Sequence, residues 1–334
     1  VKYICLTTLS VCLSLLLFCV FLLAFIYLPG GSSLGTVEIK VEQGEPLSSV
    51  IQNLKESRVI SNKTLFSLWA ILTARDKKIH WGLYRFEVPI APREILDRMV
   101  QGRGVFRRVT IPEGMTVHQI AEILAEAGIV DHGRFLELAA APELLASLDL
   151  DAKGLEGYLF PATYAFVPFV TEREVLVTMV ERFRKAFNPL MGQQPDEGEL
   201  TLHEIVTLAS MIEKETGIES ERPLISAVFH NRLRLNMPLQ SDPTVIYGIK
   251  NFSGNLTRKD LQSQTPHNTY RVRGLPPTPI CNPGLSSLAA ALRPAPAPYL
   301  YFVSKNDGSH IFSETITEHN RAVRTYQINA PRSR

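Results

Sequence analysis

The stretch TLASMIEKETG, residues 207–217, ends an apolar helical run on two carboxylates, Glu213 and Glu215. Successive helical residues turn by about 100°. With Leu202 set at zero, Ile205, Val206, Leu208, Ala209 and Ile212 fall in one apolar arc, and His203, Thr207, Ser210 and Lys214 fall opposite. Glu213 lies inside that arc between Leu202 and Val206, whereas Glu215 sits at its border beside Leu208. Only Glu213 is committed to face inward. A carboxyl among apolar neighbours loses hydration, which favours its neutral form. A carboxyl that is neutral near neutral pH is a general acid. The competing reading is structural: Glu213 caps a helix end or pairs with an arginine such as Arg222 or Arg232, since ion-pair networks also occupy buried carboxyls.

Cleavage of a glycan needs an acid for the leaving oxygen, aromatic surfaces for sugar faces, and amides or carboxylates for hydroxyl and acetamido groups. Tyr158, Tyr164, Gln240, Asp242, Tyr247, Asn268 and Tyr270 supply that inventory in segments flanking the glutamates. Each residue alone is more often a packing or turn residue. The segment 240–298, rich in Pro, Gly, Asn and Thr, is longer than an ordinary connection and reads as a functional, loop-built region.

The elements that must position these groups divide the chain. After Lys2 no charged residue occurs before Glu38, and residues 4–28 are apolar for long enough to span a bilayer. That run is too long for a cleavable signal and lacks a small-residue cleavage site, so it predicts an uncleaved transmembrane anchor over 1–28. Lys2 ahead of it orients the N-terminus inside and the bulk outside. Cys5, Cys12 and Cys19 recur every seven residues on one face of that helix, suited to helix contact, acylation or simple filling of lipid-facing positions. Only Cys281 remains elsewhere, so no disulfide staples the main domains.

A Pro/Gly/Ser linker is predicted over 29–35 and a half-buried strand over 36–41. A weak repeat follows at an offset of 70: Gly44, Val50, Leu54, Val59, Ile60 and Leu65 match Gly114, Ile120, Leu124, Ile129, Val130 and Phe135. Each copy reads strand, turn, amphipathic helix, and the second is introduced by VFRRVTIPEG. Residues 36–109 are read as a small α+β module that resembles a LysM-like, carbohydrate-binding type, with a plain spacer as the alternative. Residues 110–334 form a mixed α+β domain with helices over 117–127, 172–187 and 202–216. The fold class is therefore α+β: an N-terminal transmembrane helix, a small LysM-like module and a mixed α+β catalytic domain. The balance of 35 Lys+Arg against 33 Asp+Glu, with no basic run interleaved with aromatics, excludes a nucleic-acid footprint.

Together LEGYLFPATY, ASMIEKETG, VFHNRLRLNMPLQSDPTVIYG, NTYRVRGLPPTPICNPG and PYLYFV, in this order and spacing, resemble the endolytic murein transglycosylase (YceG-like) family. The resemblance is strongest over 109–326. It implies an enzyme of the bacterial inner membrane, single-pass, with its catalytic domain in the periplasm or extracytoplasmic space. Its partners would be peptidoglycan glycan strands, the membrane through the N-terminal helix, and peptidoglycan synthases. It would cut nascent strands internally at the β-1,4 bond between N-acetylmuramic acid and N-acetylglucosamine, leaving a 1,6-anhydro end. The first glutamate of EKET, Glu213, would then give a proton to the leaving oxygen and take one from the muramyl 6-hydroxyl. Because the nucleophile belongs to the substrate, no second catalytic carboxylate is required, and Asp242 and Glu156 are left to position sugars. A non-catalytic peptidoglycan-binding scaffold for synthases, or a hydrolase, are the rival readings.

Thr278, where the family often has glycine, and His267, where an aromatic often precedes NTY, depart from the pattern and bear on loop shape. His267, His230 and His310 are read as solvent-exposed loop histidines, although His267 could also tune Glu213 or bind substrate. No metal-ligand spacing links them, and no cofactor is implied.

Overall fold

The computed structural model describes residues 2–42, 44–191, 200–250, 252 and 254–328, with side chains in the first helix described at position 10 and from position 12 on. The chain divides into two compact units, 1–107 with 165–169, and 108–164 with 170–334. The sequence places the change at 109 and does not separate 165–169. That short return joins the first unit because Val167 approaches Gly82 and Phe169 lies under the Lys40 ammonium, 4.4 Å from the ring centre.

The first unit runs α1 (Lys2–Tyr27), β1 (Gly30–Val41), α2 (Leu47–Glu56), α3 (Lys63–Leu72), β2 (Gly82–Ile90) and α4 (Pro92–Val100). β1 and β2 pair antiparallel, with Val37 opposite Phe86 and Ile39 opposite Tyr84. Alternation in GLYRFEVPI sends Tyr84, Phe86 and Val88 inward against Leu54, Phe66, Ile95 and Leu96. Each such fully buried side chain contributes about 1.5–3 kcal/mol. Asn62 accepts from the Thr64 and Leu65 N–H groups and starts α3, while Pro92 opens α4.

Within the stretch 29–35, residues 30–35 are strand rather than linker: Gly30 pairs with Ile90 and Gly35 with Val88, with a register shift between them. Gly31 makes this possible, because a Cβ there would lie 2.7 Å from the carbonyl oxygens of Arg58 and Val59 and its φ is +94°. α1 is a 26-residue helix whose end seats Ile26 in the core of this unit. Among the described residues no helix is long and apolar enough to cross a membrane. Cys12 and Cys19 are exposed on it, and the Cys5 side chain lies outside the described residues.

The second unit contains α5 (Val117–Glu126), α6 (His132–Ala139), α7 (Pro142–Ser147), α8 (Glu172–Met191), α9 (Leu202–Glu215), α10 (Arg222–Arg234), α11 (Asp242–Tyr247), α12 (Arg258–Leu261), α13 (Leu285–Leu292) and α14 (Ile316–Val323). β5 (Tyr301–Ser304) and β6 (His310–Ser313) form an antiparallel hairpin. β3 (Arg107–Thr110) and β4 (Thr163–Phe166) form another two-stranded sheet. The segment 240–298 is less irregular than its composition suggests, since α11, α12 and α13 lie in it; LSSLAAAL is a buried helix whose small residues allow close packing on α9.

The offset of 70 is structural. Gly44 and Gly114 turn at φ +77° and +75°, Val50 and Ile120 are buried, and Leu54 and Leu124 are each fully buried. Each helix ends identically: Val59 N–H donates to Leu54 O at 2.9 Å and Ile129 N–H to Leu124 O at 3.0 Å. The second copy thereby delivers the turn 112–115 into the larger unit.

α9 is enclosed rather than amphipathic. Thr207 and Ser210, on its polar side, are buried as well as the apolar arc. They face protein because Ser210 Oγ accepts the Ile280 N–H at 3.0 Å and Ser210 O accepts the Cys281 thiol. A capping box between Thr201 and Glu204 fixes the start of the helix.

Candidate functional site

The last turn of α9 presents Glu213 and Glu215 to different partners. Glu213 faces inward, as its helical phase predicts, with a side chain 7 % exposed. Its surroundings are polar, however, because α10 and the start of α13 bring donors to it. Oε2 accepts from Ser287 Oγ at 2.7 Å and from the Gly284 N–H at 3.1 Å. Oε1 accepts from Arg222 Nη2 at 3.5 Å, and Arg222 Nε donates to Ser287 Oγ at 3.0 Å. Gly284 is the N-cap of α13, where a helix terminus favours negative charge. The arginine pairing weighed from sequence thus exists, with Arg222 and not Arg232 as partner.

The turn 112–115 closes over this group. The Gly114 N–H donates to Asn282 O at 2.9 Å, the Asn282 N–H to Met115 O at 2.8 Å, and Lys214 Nζ to Gly114 O at 3.3 Å. A Cβ on Gly284 would collide with the Glu113 carboxylate, so Glu113 lies directly over that glycine. Burial first, then the Glu213 charge, raise the Glu113 carboxyl above its ordinary value; Arg222 opposes and Glu219 adds to the rise. Sequence reasoning missed Glu113, Ser287 and Gly284; the IPEG turn of the second repeat copy and the NPG helix start were the available signals.

Glu215 accepts from Ser241 Oγ at 2.5 Å. Burial pushes it up to about 7, the Ser241 bond opposes, the Asp242 charge adds and Arg232 subtracts. Asp242 is exposed at the start of α11 and accepts the Tyr270 hydroxyl at 2.6 Å. Gln240 is also exposed, and its Oε1 accepts from Arg232 Nη1 at 3.4 Å. Asp242, Tyr270 and Gln240 are therefore gathered in one place beside Glu215.

Glu156 forms a third carboxyl centre. It accepts from the Val117 N–H at 3.0 Å, Asn282 Nδ2 at 3.0 Å and the Tyr247 hydroxyl at 3.1 Å. Burial pushes it up to about 8 against those bonds. Cys281 lies within the fields of Lys214, Glu156 and Glu213, and burial raises its thiol. Glu156 and Tyr247 are thus brought together, with their polar atoms bonded to each other.

Tyr158, Tyr164 and Asn268 offer no face to a ligand. Tyr158 is 1 % exposed, edge-on to Phe183, with its hydroxyl 3.0 Å from His203 Nδ1. Tyr164 donates to Phe160 O at 2.5 Å. Asn268 is fully buried, donating to Leu261 O and Ser263 O and accepting the Tyr270 N–H. They shape the loops rather than line a groove, since residue type alone does not say which way a side chain points.

The histidines are not free loop residues. His267 is half-buried, 5.0 Å from the Tyr247 ring, with Nε2 2.9 Å from Thr278 Oγ1, and burial lowers its pKa. His230 Nε2 lies 2.9 Å from Ala291 O. His310 lies on β6 with Nδ1 2.7 Å from Glu221 Oε2. Burial would raise Glu221, yet the bonds from His310 outweigh it and hold that carboxyl low. Among the described residues no group of three or more His, Cys, Asp or Glu is placed to hold a metal ion.

These features define an α+β protein with an enclosed, donor-held glutamate on a central helix, flanked by tyrosine and carboxylate groups. The chain belongs to the YceG-like family, which matches residues 39–325. It is 31% identical over 306 residues to the endolytic murein transglycosylase of Bacillus subtilis, covering 87% of this chain and 85% of that one. It is 28% identical over 320 residues to the endolytic murein transglycosylase of Streptococcus pneumoniae serotype 2, covering 86% of this chain and 58% of that one. The crystal structure of a YceG-like protein from Listeria monocytogenes matches with a TM-score of 0.58 and 32% identity over 86% of this chain and 99% of that chain.

Proposed function

We propose that the chain is an endolytic lytic transglycosylase acting on peptidoglycan. The observation that carries this reading is Glu213, enclosed on the last turn of α9 and held by Arg222, Ser287 and Gly284 in a chain of the YceG-like family. Relatives named endolytic murein transglycosylase support the same reaction.

Glu213 protonates the glycosidic oxygen between N-acetylmuramic acid and N-acetylglucosamine as that bond breaks. It then takes the proton of the muramyl 6-hydroxyl while this oxygen closes on the anomeric carbon, and no water is consumed. Asp242, Tyr270 and Gln240, gathered beside Glu215, hold sugar hydroxyl and acetamido groups. Glu156 and Tyr247 set the position of the loop carrying Asn282 behind them. The βααβ order of the first unit supports a LysM-like, glycan-binding role for it. The apolar run over 4–28 and the helix α1 support a single-pass inner-membrane anchor with the catalytic domain outside, near peptidoglycan synthases.

Mass spectrometry of a glycan-strand digest tests the reaction. Internal fragments ending in 1,6-anhydro-N-acetylmuramic acid are expected. Fragments heavier by one water at that end would make the protein a hydrolase, and bound but uncut strands would make it a scaffold.

A further inference from the structure

The proposed reaction assigns both proton transfers to Glu213, yet the site holds another carboxyl that this assignment leaves unused. Glu113 sits in the IPEG turn ahead of α5, and Gly284 shows how closely it approaches. Gly284 is buried with φ −76°, a conformation any residue adopts, so its backbone does not require glycine. The space does: the Glu113 carboxylate occupies the place of a Cβ. The N–H of the same residue donates to Glu213 Oε2 at 3.1 Å. Two carboxyls from chain positions 100 residues apart therefore converge on one glycine.

Their circumstances differ. Both oxygens of Glu213 are engaged, Oε1 by Arg222 and Oε2 by Ser287 and Gly284. Glu113 keeps solvent access, and no hydrogen bond to its carboxyl is found among the described residues. Two like charges in such proximity are not both favoured, and one proton shared between them relieves the repulsion. The other charged groups facing the pair are Arg222 on α10, Glu219 in the turn before it, and Lys214 on α9; Glu219 is itself held by Ser286 Oγ at 3.0 Å. One guanidinium and one ammonium thus stand against three carboxyls, Glu113, Glu213 and Glu219, which leaves room for one proton.

We infer that Glu113 is the second member of an acid–base pair with Glu213, the two carboxyls holding one proton between them across Gly284. This rests on the transglycosylase reading above and refines it. Glu213 remains the enclosed member, Glu113 is the member open to solvent and substrate, and the proton given to the leaving oxygen is restored to the pair from the 6-hydroxyl. The burial and Glu213 charge that raise the Glu113 carboxyl fit this arrangement.

Two measurements on the full chain test it. Carboxyl carbon NMR titration of Glu113 should show it protonated to a higher pH than a free glutamate, and Glu213→Gln should lower that midpoint by about one pH unit. A midpoint unmoved by Glu213→Gln overturns the pair. This readout needs no turnover, so it stands even if the digest yields no anhydro ends and the transglycosylase reading fails.

The second measurement is the pH profile of kcat/KM for anhydro-end release. Glu113→Gln should move the high-pH limb down by about one unit and lower the rate about tenfold at neutral pH, while Glu113→Asp, which keeps the charge, should restore the limb. Gly284→Ala, which displaces Glu113, should move it in the same direction as Glu113→Gln. A lower rate with the limb in place in all three variants would make Glu113 a purely structural residue and overturn the inference.

Discussion

His267 Nε2 and Thr278 Oγ1 lie 2.9 Å apart, so the two residues that the sequence marks as bearing on loop shape meet each other. Thr278 also bonds the Tyr247 hydroxyl, which donates to Glu156. The two residues therefore form one contact beside Tyr247 and the Glu156 carboxyl. Thr278→Ala and His267→Phe should each destabilise the chain, and the double variant should cost less than the sum by about 1 kcal/mol. Urea denaturation of the four proteins measures this coupling; additive costs would separate the two residues.

Glu156 makes stability depend on pH. Burial pushes its carboxyl up to about 8 from the ordinary 4.5, so the folded chain binds its proton more tightly than the unfolded chain. That stabilising contribution is complete below 4.5 and is lost as pH rises through about 8. Glu215, pushed up to about 7, adds a loss in the same direction. Thermal unfolding should therefore show falling stability from acid toward pH 8, and Glu156→Gln, which cannot ionise, should flatten the upper part of that fall. An unchanged slope in Glu156→Gln would contradict the assignment.

Arg222 and Glu213 form an ion pair with side chains only 9 % and 7 % exposed. Removing one partner leaves the other charge buried, so Arg222→Met should cost about 3 kcal/mol. Adding Glu213→Gln to Arg222→Met should recover much of that loss, because the stranded charge goes with it. Chemical denaturation of the double variant decides this, and equal instability of single and double variants would mean that charge is not the cause.

Asn268 and Tyr270, two residues apart, should respond in opposite ways. Asn268→Ala strips the half-buried carbonyls of Leu261 and Ser263 of their donor and should cost about 1 kcal/mol of stability. Tyr270→Phe frees Asp242 without opening a cavity, so it should raise KM about tenfold while kcat and stability hold. Paired kinetics and melting curves check the contrast.

How much of this was legible in the sequence follows from the range of each cause. The inward phase of Glu213 is a local property of fourteen helical residues, and periodicity carries it. The repeat could be read because Gly44 and Gly114 need the same left-handed turn. The partners of Glu213 come from Arg222, Gly284 and Ser287, and no local pattern says that these elements meet. Tyr158 and Asn268 were chosen by type, whereas their direction is set by Phe183, His203 and the carbonyls of Leu261 and Ser263. The glycines and serines of 29–35 read as a linker because their role as a strand depends on pairing with Val88 and Ile90, more than fifty residues away.

Release of 1,6-anhydro ends from purified glycan strands by Glu213→Gln, set beside the unaltered chain, bears on the main assignment most directly. The substitution keeps the shape and removes the acid, so a folded variant with turnover reduced at least about a hundredfold is the predicted result. A correctly folded Glu213→Gln protein that releases those ends at the unaltered rate would contradict it.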